Sequence, residues 1–126
     1  MVKILFGSAS VILVLFLAVG PVSAHHRWPV DRSELVTVHG TVVEFVWGNP
    51  HPMITLEVRN DDGLTEEWLI GGPALNRMEE NGWTRTTVSP GDVITGIGYQ
   101  FIDGQKIVRL ERVILPDGSE IRVYGR

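Results

Sequence analysis

LVTVHGTVVEFVWGNPHP, residues 35–52, decides how the rest of the chain is read. From Leu35 to Trp47 apolar and β-branched residues recur with a period near two, the spacing of a strand with one buried face. Val36, Val38 and Val42 share that face. Phe45 and Trp47 fall on the other one unless a residue is inserted between the two sets. Val42-Val43-Glu44, just after Gly40, is where a bulge would return them to the inner side. A long first strand bent in this way is a device for closing a small barrel. It stops at Gly48-Asn49-Pro50, and His51 is then held between two prolines.

Downstream, Ile54, Leu56 and Val58 alternate with Met53, Thr55 and Glu57, which predicts a half-buried second strand. Asn60-Asp61-Asp62-Gly63 is a hairpin turn, and Thr65 to Ile70 a third strand with Trp68 and Ile70 on one face. Gly71-Gly72-Pro73 breaks it. Pro73 suits the first position of a helix, Leu75 and Met78 are three apart, and Asn81-Gly82 is a stop, so about two and a half helical turns are expected. Val93 to Phe101 and Lys106 to Leu115 are strands joined at Asp103-Gly104. Pro116-Asp117-Gly118 leads into a short strand from Ile121 to Tyr124. Gly96-x-Gly98, inside a strand, reads as barrel curvature. The expected class is mainly β: a small OB-like antiparallel β-barrel of five to six strands, with one short helix between strands 3 and 4. An open roll of the same strands is the alternative.

Upstream, Lys3, the apolar run from Ile4 to Val19 and the small residues Val22-Ser23-Ala24 read as a signal peptide, residues 1–24. Sixteen residues interrupted by Gly7, Ser8 and Ser10 are short against the ~20 that cross a bilayer. Cleavage after Ala24 would leave 102 residues, an extended arm over 25–34 and a barrel domain over 35–126. The expected location is periplasmic or secreted, with no membrane attachment after cleavage. The chain has no cysteine, so stability must come from packing and hydrogen bonds. Losing Lys3 takes the formal charge from −4 to −5, which argues against nucleic acid as a partner.

Several short motifs stand in order along the chain: Ala24-His25-His26, Trp47-x-Asn49-Pro50-His51, Gly71-Gly72, Gly82-Trp83-Thr84, Pro90-Gly91-Asp92 and Leu115-Pro116-Asp117-Gly118. In their order and spacing the sequence resembles a group of small exported bacterial proteins, the domain-of-unknown-function family 6152, over nearly the whole mature chain. It departs from that pattern at Pro52-Met53, where relatives more often carry an apolar or aromatic pair. Gly98-Tyr99-Gln100 also lacks the proline that often follows the Gly-aromatic pair. The resemblance implies a periplasmic β protein and supplies no activity.

The sharpest site expectation concerns metal. A chain beginning at His25 presents an α-amine and an imidazole on one residue, a bidentate nitrogen chelate, and His26 adds a second imidazole. His51, across a barrel loop, is the natural remaining partner, as in histidine-brace proteins. Such donors suit Cu(II), Ni(II) or Zn(II), with Cu(II) first and Zn(II) the other leading candidate. The plainer reading is that two terminal histidines do nothing and His51 only hydrogen-bonds its turn. His39, between Thr37 and Thr41, is expected to face solvent. The competing function is a barrel that binds a small molecule, glycan or protein on an aromatic face, with Trp47, Asn49, Trp83 and Tyr99 as contacts. For Trp47 and Trp68 a place in the core is the competing reading, and for Trp83 a plug over the barrel end. No enzyme is expected. The acidic pairs Asp61-Asp62, Glu66-Glu67 and Glu79-Glu80 sit at turns or on the helix, and no nucleophile elbow or phosphate loop is present. A brace-type redox enzyme is the remote alternative.

Overall fold

The bend predicted in the first strand is what shapes the molecule. A computed structural model describes residues 27–125; the predicted signal peptide, His25 and His26 lie outside them. Strand β1 (Val36–Val46) faces two neighbours in turn, pairing with β4 (Val93–Gln100) over Val36–Thr41 and with β2 (Met53–Arg59) over Thr41–Val46. Val42 stands opposite Leu56 and Glu44 opposite Thr55, so Val43 is the inserted residue. Before it Val38, Gly40 and Val42 point inward; after it Phe45 and Trp47 pack on the same core. Val43 itself is half exposed. A single extra residue thus reverses which half of a period-two pattern is buried.

Strand β3 (Thr65–Gly71) follows the Gly63 turn, and β5 (Ile107–Ile114) and β6 (Glu120–Arg122) complete a sheet ordered β3-β2-β1-β4-β5-β6. A further pairing of β3 with β5 closes five strands into a barrel, leaving β6 as an extra strand on β5. The expected OB-like barrel is therefore present, with one difference. The closing pair, Leu69–Gly71 beside Ile107–Arg109, is parallel. With five strands in a ring and every other neighbour antiparallel, the last pair has no other choice. Gly98 lies where the β4–β5 register shifts, and a Cβ there would strike the Arg109 carbonyl oxygen, so this glycine does serve curvature.

The core runs from Val38, Ile54 and Leu56 to Ile70, Val108 and Leu110, all essentially without solvent contact. Each such side chain contributes about 1.5–3 kcal/mol by leaving water. One end is closed by helix α1 (Leu75–Glu80), which buries Met78, and by Trp83, whose indole N–H donates to the Arg122 carbonyl at 2.8 Å. The helix is shorter than predicted. Ala74 is its N-cap with an extended ψ of 150° and offers no side-chain oxygen to the first turn, so Pro73 lies outside it. Asn81 and Gly82, the latter at φ 88°, stop it as expected. No helix among the described residues is long and apolar enough to cross a membrane.

Candidate functional site

At the edge of the barrel the residues before β1 return to the turn after it. Ile102 N–H donates to the Pro29 carbonyl at 2.8 Å and Asp31 N–H to the Gln100 carbonyl at 2.9 Å, while Val30 bridges Phe101. The Val30 N–H also donates to the Trp28 carbonyl at 2.9 Å, a three-residue turn that suits the fixed φ of Pro29. That turn aims Trp28 across the sheet. Its indole meets Phe101 edge-on at 5.6 Å and the His51 imidazole at 5.0 Å, with planes inclined by 87° and 69°.

Beneath Trp28 lies Gly71, the last residue of β3, paired with Met53. A Cβ on Gly71 would come within 2.8 Å of the indole Cη2 and would meet the Met53 sulfur. Only glycine lets both side chains lie over the sheet there. Beside them is an open apolar pocket of about 400 Å³, lined by Trp28 and Pro29 of the arm, Pro50 and His51 of the turn, Met53, Phe101, Ile107 and Arg27. The Asn49–Pro50 peptide bond is cis. Pro52 is buried, and its carbonyl accepts from Gly72 N–H at 3.1 Å. Nδ1 of His51 is buried and has no hydrogen-bond partner among the described residues. Leaving such a nitrogen unpaired costs about 1–3 kcal/mol.

The other predicted contacts do not line this pocket. Trp83 is 1% exposed and belongs to the core, so it offers no face to a ligand. Trp47 is half-buried against Phe45, ring centroids 5.6 Å apart. Tyr99 stands on the outer face of β4 with the Arg32 guanidinium 6.0 Å from its ring, and Asn49 is exposed in the turn. Trp47 and Trp83 both pack on Phe45, the Phe45 and Trp83 centroids 6.3 Å apart, while Tyr99 belongs to β4. His39 is exposed, its Nδ1 2.8 Å from the Thr95 hydroxyl. Among the described residues no three His, Cys, Asp or Glu side chains are grouped to hold a metal ion. Glu66 is engaged by Asn60 at 2.9 Å and Lys106 at 3.0 Å, which hold its carboxyl below the usual range, in that order of strength. Asp61, Asp62, Glu67, Glu79 and Glu80 are exposed.

Sequence reasoning missed Trp28, Met53, Phe101 and Ile107 as lining residues of the pocket. The available signal was a tryptophan beside a proline in an otherwise polar arm. What it packs against depends on a contact with a residue far along the chain.

A closed five-stranded OB-like barrel, with an arm packed on it beside an open apolar pocket that includes a histidine, is the class these features define. The chain belongs to DUF6152, a family of unknown function, whose model matches residues 13–109. No curated protein matches it. Among solved structures, it is similar to part of the protein in the crystal structure of TiaS in complex with an isoleucine tRNA and ATP, with a TM-score of 0.50 and 11% identity. That likeness covers 73% of this chain and 20% of the other, so the chain spans about a fifth of that protein. The similarity is one of fold.

Proposed function

We propose that this is an exported small binding protein that holds a transition-metal ion, Cu(II) or Zn(II), between its mature N-terminus and the His51 turn. The observation that carries this reading is that Arg27 and His51 border the same cavity. Consecutive Cα atoms are ~3.8 Å apart, so covalent geometry tethers His26 within about 4 Å and His25 within about 8 Å of the Arg27 Cα. Processing after Ala24, as the signal-like segment suggests, would free the His25 α-amine. That amine and three imidazoles are nitrogen donors that borderline divalent metals favour. The role in this reading is binding.

The test starts from a chain whose first residue is fixed as His25 by intact mass. Cu(II) and Zn(II) are titrated into it and into His25→Ala and His51→Ala. Saturation at one equivalent, weakened at least about tenfold by either substitution, is expected. Weak binding without a defined stoichiometry, or binding that survives both changes, overturns the proposal.

A second reading has its own observation. The walls are mostly hydrocarbon, and 400 Å³ lies in the usual range for small-molecule sites. An aromatic or aliphatic acid would lay its apolar body against Trp28 and Phe101, with its carboxylate toward Arg27. Binding of such acids that is lost in Trp28→Ala and indifferent to His25→Ala would favour it.

A further inference from the structure

We infer that Met53 is a thioether ligand of this site and that the site therefore takes Cu(I) as well as divalent ions; the inference rests on the metal reading above. His51 and Met53 are two residues apart with the buried Pro52 between them, and Ile54 and Leu56 continue the inward set. Side chains two apart project to the same side of an extended chain, so His51 and Met53 both face outward, into the cavity.

The Met53 sulfur has a defined place. It lies over Gly71, where a Cβ would collide with it, and borders the same cavity as the His51 ring. The chain has three methionines. Met1 precedes the predicted cleavage site and Met78 is a core residue 1% exposed, so Met53 is the one beside a histidine in an accessible cavity.

Hydrophobic filling alone asks only for bulk, which leucine supplies. A thioether adds a soft, neutral donor that favours Cu(I), and imidazole accepts copper in both oxidation states. A neutral thioether and imidazole hold a monovalent ion without requiring the α-amine. Trp28 and Phe101 line the same pocket with hydrocarbon beside the donors, an environment that favours the ion of lower charge.

The experiment uses the full mature chain and Met53→Leu, a volume-conserving change. Cu(I) affinity is measured anaerobically by competition with bicinchoninate, and Cu(II) affinity by direct titration. Met53→Leu is expected to weaken Cu(I) by about tenfold or more and to change Cu(II) by less than about threefold. In parallel, methionine methyl groups are labelled with carbon-13 and Ag(I), a redox-inert stand-in for Cu(I), is added. The Met53 methyl should shift to saturation at one equivalent while Met78 stays fixed, which also verifies the fold. Saturable, His51-dependent Cu(II) binding with Cu(I) affinity unchanged by Met53→Leu and a motionless Met53 methyl overturns this inference alone. No saturable binding of either oxidation state overturns it together with the metal reading.

Discussion

Trp28 meets His51 edge-on, ring centroids 5.0 Å apart, and so joins the start of the described chain to the turn that ends β1. Two stretches separated by the whole length of that strand become one site. Besides His51, Trp28 meets Phe101 and lies over Gly71, and backbone hydrogen bonds to Gln100 and Ile102 hold the arm on either side of it.

Trp28→Ala should therefore release the arm without unfolding the barrel. The expected loss is about 1–3 kcal/mol, the range for a half-buried aromatic removed from a local contact. Urea unfolding measures it. Limited trypsin digestion should show faster cleavage after the exposed Arg32, with residues 36–125 still protected. Unchanged cleavage there would mean that the hydrogen bonds alone hold the arm.

Gly71→Ala should disturb the same place from below. The added methyl would press on the Trp28 ring and the Met53 sulfur, costing about 1–3 kcal/mol as overpacking does. Combined with Trp28→Ala, the cost should be less than the sum of the two single changes, because the indole is then absent. Strict additivity of the urea-derived values would show that the two residues do not share a contact.

Much of the fold was legible in the sequence because it rests on local chemistry. Gly63, Gly104 and Gly118 all take positive φ in the turns that Asp-Gly pairs announced. The Val43 bulge was legible because buried positions change parity between Val42 and Phe45. The helix was overestimated because Pro73 permits a first turn but does not compel one, and Ala74 cannot cap it. The cavity was not legible. Met53 and Ile107 alternate as ordinary outward strand residues, and nothing local brings Phe101 to Trp28. Trp83 kept two readings in the sequence, and its hydrogen bond to Arg122 settles it as a core plug.

Stability should vary with pH at both extremes. Asp31, Asp103 and Asp117 are held below their ordinary pKa by hydrogen bonds from Ser33, Gln105 and Ser119, and Glu66 by Asn60 and then Lys106. Their stabilisation is complete above the unfolded carboxylate values, ~3.9–4.3, and is lost as pH falls through the lower folded values. Burial raises the Tyr124 phenol, against an opposing effect of Arg109, whose guanidinium lies 4.0 Å from the ring. That contribution is complete below ~10 and is lost as pH rises through the higher folded value. The urea midpoint should fall as pH drops below about 4 and again as it rises above about 10. A midpoint unchanged down to pH 2 would contradict the carboxylate assignments.

The central claim, that the arm and the turn share one metal ion, is tested most directly at the imidazole nitrogens. The chain has four histidines, and His39, bonded to Thr95 away from the cavity, serves as the internal reference. The mature protein is labelled with nitrogen-15 in its histidine rings and titrated with Zn(II), which is diamagnetic. Ring nitrogens of His51 and His25 should shift together and stop at one equivalent, with His39 unmoved. A shift confined to His25 and His26, with both His51 nitrogens where they began, would contradict the shared site.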